Sequence, residues 1–461
     1  MNGKMHNIVD ANFDRLLSDL RKSISLPSVL DESMMTEEHP FGSNMTEVLE
    51  HFLHCARQLG FKTKNVRNKS GYAEIGSGEK MVGILAHLDV VPEGEHAAWI
   101  VHPFSADIVD GKIYGRGSVD DKGPAFAALY AMKALDEAYE LDCRVRIIVG
   151  VDEESGSRCI KDYLTTEEVP YCSFSPDASF PLINAEKGML RARISKEFSP
   201  VDSPVRLLSM SAGERFNVVP DKAEAVFNGL LAPADVQKLL SCEGVNVSSD
   251  SVKTFVKANG VSAHAMNPEF GVNAAIRLFK ALSLIDWGES ELSSFLGSVA
   301  EAAADTRGSG LGIDCVDEIS GPLTCNVGIM RYSDGLCQLS FDIRYPVTLD
   351  YEGIFEKLSR TSQSLGTQCE LLGTSKPLYV EPQSPLIQKL LTAYTTITKE
   401  EAYPRSTGGG TYCRNLSNSV SFGPNFPGTV DLDHQPNEFI SLGDLRKITH
   451  IYAEALSMLI S

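Results

Sequence analysis

The ten cysteines of this 461-residue chain include no Cys-x-x-Cys pair and no tight cluster. Clustered thiols staple small secreted domains or hold structural zinc, so their dispersal argues against both and predicts reduced, mostly buried side chains. Long apolar runs are missing as well: nothing approaches the ~20 uncharged apolar residues of a membrane span. Met1 to Leu20 mixes charge with apolar residues and lacks the continuous apolar core of a secretion signal. By elimination, a cytoplasmic location is expected. Positive charge is in deficit, with 42 Lys and Arg against 61 Asp and Glu and a formal net charge of −19. That balance argues against nucleic acid or a membrane as partner, because both call for basic patches. Internal repeats and low-complexity tracts are absent too. The run Gly408-Gly409-Gly410 is followed by no Gly-Lys-Ser/Thr, which weakens a phosphate-loop reading.

What remains is the composition of an enzyme-sized globular protein, 43% hydrophobic and 22% charged. The length exceeds one ordinary core, so two domains are expected. Phe13, Leu16, Leu17, Leu20 and Ile24 recur at helical spacing behind Asp10, a candidate N-cap. A second helix is expected from Met45 to Leu59, with Gly60 to close it. Strand-like runs follow at Tyr72–Ile75 and Met81–Ala86, then an Asp110-Gly111 hairpin signal. Next come a buried Ala- and Leu-rich helix over Pro124–Ala138 and a strand over Arg144–Val151. Strand, helix and strand alternating this way predict an α/β domain, in which ligands collect at the carboxyl ends of the strands. From Ala185 to Lys376 the texture changes to further strands (Leu190–Ile194, Val252–Val256, Leu336–Ile343) and helices (Val272–Ile285, Tyr351–Leu365). Helices near Pro385–Thr398 and from Leu442 return to the first domain. The expected division is therefore 1–184 and 377–461 for a discontinuous first domain, and 185–376 for an inserted one.

Five segments place acids and imidazoles at strand ends or in loops. His87-Leu88-Asp89 closes an apolar strand, and residues two apart on extended chain point the same way, so Asp89 can hold the far nitrogen of His87 while the near one binds metal. A solvated or core histidine is the plainer reading of His87 alone. Gly115-Arg116-Gly117-Ser118-Val119-Asp120-Asp121-Lys122-Gly123 packs glycines around two carboxylates, and a carboxylate has two oxygens with which to bridge two cations. An acidic turn capping the next helix would read the same way. Asp152-Glu153-Glu154 ends another strand; its glutamates can divide the work of ligand and proton shuttle, or form a solvated turn. Asp177, in Ser175-Pro176-Asp177-Ala178, and His434, in Asp431-Leu432-Asp433-His434-Gln435-Pro436-Asn437-Glu438, complete the set.

Taken jointly, the five segments resemble the co-catalytic zinc peptidase family of aminoacylase, acetylornithine deacetylase, glutamate carboxypeptidase and carnosinase, and most closely its bacterial dipeptidase V branch. The similarity runs over nearly the whole chain. It implies an α/β zinc-peptidase catalytic domain, a mixed sheet flanked by helices, with a large inserted α+β lid domain. On that resemblance His87 and Asp177 bind one metal, Glu154 and His434 the other, and the Asp120 carboxylate bridges them, aimed by a neighbouring Asp120–Asp121 peptide expected to be cis. Glu153 is then the general base and Asp89 the residue that orients His87. Within the insert, Asn217 and His264 match positions that polarise the scissile carbonyl, and Arg344 matches a clamp for the substrate's terminal carboxylate. Gly409, Gly410 and Thr411 match a glycine loop contacting that same end. A turn cap, a core histidine and a structural ion pair are the plainer readings of Asn217, His264 and Arg344.

The resemblance implies two divalent cations, zinc first, with manganese and cobalt open because the donor set suits all three. It implies hydrolysis of unblocked dipeptides by a water activated between the metals, with an N-acyl amino acid deacylase or a carboxypeptidase as the alternative. The insert is roughly twice the length usual for the dimerising domain of many relatives, which implies a monomer.

Overall fold

A computed structural model describes residues 2–199, 201–430 and 432–461, and within them the chain divides into two compact units. The first comprises Met1–Asn184, Tyr379–Arg405 and Gly410–Ser461; the second comprises Ala185–Leu378 and Ser406–Gly409. Asp431, one residue of the fifth segment above, lies outside the described residues.

In the first unit, six strands lie in the order Lys62–Val66, Ser70–Ile75, Arg144–Gly150, Met81–His87, Cys172–Ser175 and Ser419–Ser421. The first three run antiparallel to one another, and the neighbours from Arg144–Gly150 onward pair in parallel. Met81–His87 sits among them with all seven residues buried, which is why it reads as a continuous apolar run. Helix Lys122–Ala138 packs on this sheet and between helices Asn2–Ile24 and Leu442–Ile460. Buried on nearly every side, it is built from alanines that let its neighbours approach closely. The hairpin at Asp110-Gly111 forms with φ of 49° and 72°, the left-handed pair a two-residue turn of this hand requires. Asp10, expected as an N-cap, lies instead inside helix Asn2–Ile24. Its carboxylate accepts from Arg446 at 2.7 Å and His450 at 3.3 Å, so it bridges helices rather than capping one.

The second unit is an antiparallel sheet of eight strands in the order Val245–Ser249, Lys253–Asn259, Lys222–Asn228, Arg206–Ala212, Thr324–Ser333, Leu336–Tyr345, Gly188–Glu197 and Gln368–Ser375. Leu190, Ala192 and Ile194 alternate into the same buried core that holds Leu278, Phe279 and Leu282 of helix Ala274–Leu282. That helix begins at Ala274, later than its apolar pattern implies, because the Asn273 side chain accepts the N–H groups of Ala275 and Ile276 and so caps it. The α/β first unit and α+β second unit agree with the fold class expected from sequence. Among the described residues, no helix is long and apolar enough to cross a membrane.

Candidate metal centre

Three neighbouring parallel strands release the chain at one end of the first unit's sheet. His87 pairs in register with Gly150, so the turn bearing Glu153 and Glu154 emerges beside it, and Cys172–Ser175 delivers Asp177 on the other side. His87 is buried; its Nε2 lies 2.9 Å from Asp120 Oδ1 and 3.8 Å from Asp177 Oδ1. His434, 37% exposed, places its Nε2 2.9 Å from Asp120 Oδ2 and 3.0 Å from Glu154 Oε1. The two oxygens of Asp120 thus face two different imidazoles. Two overlapping groups, His87–Asp120–Glu154 and His87–Glu153–Asp177, each bring their donor atoms within 4.8 Å of one another. Donors on a single tetrahedral ion at about 2.0–2.2 Å stand roughly 3.3 Å apart. The observed spacings fit ligands that share an ion.

Asp89 does its work through different atoms from those expected. His87 Nδ1 donates to the Asp89 backbone carbonyl at 2.9 Å, while the nearer carboxylate oxygen stands 3.6 Å away. The carboxylate instead accepts the backbone N–H groups of Glu153 and Glu154, both at 3.0 Å. Asp89 therefore sets the His87 tautomer, leaving the Nε2 lone pair toward the cluster, and also holds the turn that carries both glutamates. The Asp120–Asp121 peptide is cis. Asp121, whose role the sequence does not disclose, is fully buried and accepts the His87 backbone N–H at 3.1 Å.

Burial and crowding load this cluster with protons. Burial pushes Glu153 well above the usual carboxylate range, and the charge of Asp177 adds to it. Glu154 is raised to about 7, first by burial and then by Asp120. Burial alone would raise Asp120 and lower both histidines, but their mutual hydrogen bonds win: Asp120 is held low, His87 well above its usual value, and His434 at about 12. So many crowded, half-buried carboxylates cannot all ionise unless positive charge arrives, and divalent cations would supply it. His87, Asp120, Glu154, Asp177 and His434 fit such ions by donor type and spacing.

In the second unit, segments 217–219 and 263–265 form a short antiparallel ladder, with Ala265 N–H donating to Asn217 O at 2.9 Å and Val219 N–H to Ala263 O at 2.9 Å. Asn217 and His264 are thereby brought together, and His264 Nδ1 accepts the Met266 N–H at 3.1 Å. Arg344 lies opposite Thr324, whose hydroxyl donates to Ala265 O at 3.2 Å. It is buried and forked onto Asp342 at 2.5 and 3.1 Å, with a further donor to Gly408 O at 3.1 Å. Part of its donor set is therefore committed to a structural acid. Gly409 belongs to this unit, its N–H donating to Thr407 Oγ1 at 3.0 Å. Gly410 and Thr411 belong to the first unit. A Cβ on Gly410 would fall 2.2 Å from the Arg414 guanidinium, and Thr411 caps the short turn Tyr412–Asn415.

Imidazoles and carboxylates converging at the carboxyl ends of parallel strands define the centre of a metallohydrolase. The chain belongs to the peptidase family M20/M25/M40, whose family model matches residues 83–458. It is 39% identical over 452 residues, 96% of each chain, to a Bacillus subtilis (strain 168) protein named "Putative dipeptidase YtjP". Among solved structures, human carnosine dipeptidase 1 aligns over 100% of both chains at 15% identity with a TM-score of 0.59. An M20 family metallo-carboxypeptidase from Sulfolobus solfataricus aligns over 96% of this chain and 99% of its own, at 19% identity and a TM-score of 0.60. At such identities the two structures show a shared fold.

Proposed function

We propose that this metallopeptidase is a dipeptidase acting on unblocked dipeptides, with two divalent cations, zinc in the first place, held by His87, Asp177, Glu154 and His434 around a shared Asp120. The observation that carries the two-ion reading is Asp120, each of whose oxygens faces its own histidine at 2.9 Å. The dipeptidase reading draws on the relative named above.

Bound there, the cations supply Lewis acidity that brings a water toward a pKa of about 7. The chain's own residues do the rest. Glu153, half-buried beside Asp177 and outside the ligand set proposed here, takes a proton from the attacking water and returns it to the leaving nitrogen. Asp89 keeps the His87 tautomer and the Glu153 backbone in place during that transfer. Asn217 and His264 are assigned to the scissile carbonyl on the strength of the resemblance; a donor at a developing oxyanion is typically worth about 2.7–4 kcal/mol of barrier. Arg344, with Gly409, Gly410 and Thr411, is assigned to the substrate's terminal carboxylate on the same ground. Residues 185–376 act on this reading as a lid, and the enzyme as a cytoplasmic monomer.

The test is a competition of hydrolysis rates, after chelation and zinc add-back, between an unblocked dipeptide and its N-acetyl amino acid counterpart. Faster metal-dependent cleavage of the dipeptide is expected. Preference for the acetylated compound would move the chain to the deacylase activity.

A further inference from the structure

Arg116 and Glu438 are 2% and 0% exposed and meet at 2.8 Å. Burying such a pair costs more desolvation than an apolar pair of the same volume would, so its worth has to lie in geometry. Glu438 Oε2 faces Arg116, while Oε1 accepts the backbone N–H groups of Val119 at 2.9 Å and Asp120 at 3.3 Å. Arg116 in turn donates to the carbonyls of Gln435, at 3.2 Å, and Pro92, at 3.4 Å. Trp99 lies under the guanidinium with its ring centre 5.3 Å away. One ion pair thus ties together the loop entering Asp120, the loop leaving His434 and the segment that follows Asp89. Strand Phe439–Ser441, paired with Lys112–Tyr114, anchors the same junction from outside.

We propose that the Arg116–Glu438 pair is the positioning device that sets Asp120 against His434, so that metal uptake depends on two residues that ligate nothing. The proposal rests on the metal-ligand reading of the centre given above. Glu438 reaches Asp120 through its backbone, and Arg116 reaches the His434 loop through the carbonyl next in sequence. Releasing either end therefore lets the two ligands drift apart without removing a donor atom.

The full-length chain, stripped of metal, tests this through Glu438→Gln and Arg116→Lys, with zinc as the probe and affinity read by competition with a chromogenic chelator. Glu438→Gln should weaken zinc binding by about 10–100-fold, lower kcat with KM changed by less than about twofold, and shrink the rise in melting temperature that zinc produces. A purely structural role would lower the stripped and loaded melting temperatures together and leave that rise intact. Zinc affinity within about twofold of wild type in a folded variant would overturn the proposal. Should Glu438→Gln fail to fold, Arg116→Lys decides by the same criteria, since it keeps the charge and loses the fork. Wild-type protein that takes up no zinc would bring down the metal reading and this proposal with it. Wild-type protein that binds zinc but cleaves no dipeptide would overturn the proposed substrate and leave the positioning role standing.

Discussion

Glu153 and Glu154 are adjacent in sequence but differently engaged. Glu154 is hydrogen-bonded to His434, while Glu153 is pushed upward by burial and by Asp177. Replacing Glu153 with Gln should leave zinc binding within a few-fold of wild type while kcat falls by about 10²–10⁴; a variant retaining a tenth of the activity would remove Glu153 from the role of base. The imidazoles yield a second prediction. In the metal-free protein His87 and His434 hold protons above the ordinary histidine range. Ligation needs neutral rings, so zinc must displace protons and its apparent affinity must fall as pH falls. Calorimetric titration in buffers of differing ionisation enthalpy should report net proton release, and a buffer-independent heat would contradict it. His87, Asp120, Glu153 and Glu154 are legible in sequence because each ends an apolar run or sits near glycines, whereas His434, in a polar loop, stands out only in company with the others. Asp89 shows where that legibility stops. Extended-chain periodicity aims its side chain correctly, but whether the carbonyl or the carboxylate comes nearer to His87 depends on the Glu153–Glu154 turn folding over it.

At the level of elements, the sheet end works because Gly150 is small. It pairs with His87, and a Cβ there would fall 2.2 Å from Tyr412 Oη and 2.6 Å from Cys159 Sγ, two atoms that are themselves 2.9 Å apart. Gly150→Ala should cost about 1–3 kcal/mol by overpacking, visible as a lowered melting temperature; an unchanged melt would mean that Tyr412 yields without strain. Elements buried on nearly every side, such as Lys122–Ala138 and Met81–His87, can be read from their continuous apolar runs. Helices Arg158–Thr166, Pro233–Leu240 and Ser290–Ala302 were not foreseen. The first two are short, so packing decides them more than local preference does; the third carries Leu292, Phe295, Leu296 and Val299 at helical spacing and packs on helix Ala274–Leu282. The pairing of Arg116 with Glu438 is not legible in sequence, because a contact across 322 residues leaves no local trace.

For the molecule as a whole, the inserted segment has its own core, from Leu190 to Leu358. A fragment spanning 185–378 should fold alone with a cooperative melt, and a fragment without near-ultraviolet dichroism would show that the core needs the rest of the chain. Light scattering should return the mass of a single chain; a dimer would contradict the proposed monomer. The first unit, by contrast, is discontinuous, and His434, proposed above as a ligand, lies beyond the insert. Chains are synthesised from the N-terminus at about 5–20 residues per second, and domains fold as units when they emerge. On the ribosome, the insert can therefore mature while the segment around His87, Asp120, Glu154 and Asp177 still waits for its last partner. Until residue 434 has emerged, a nascent chain lacks the imidazole that faces the second oxygen of Asp120, so on the proposed ligand set the metal centre is finished late in synthesis.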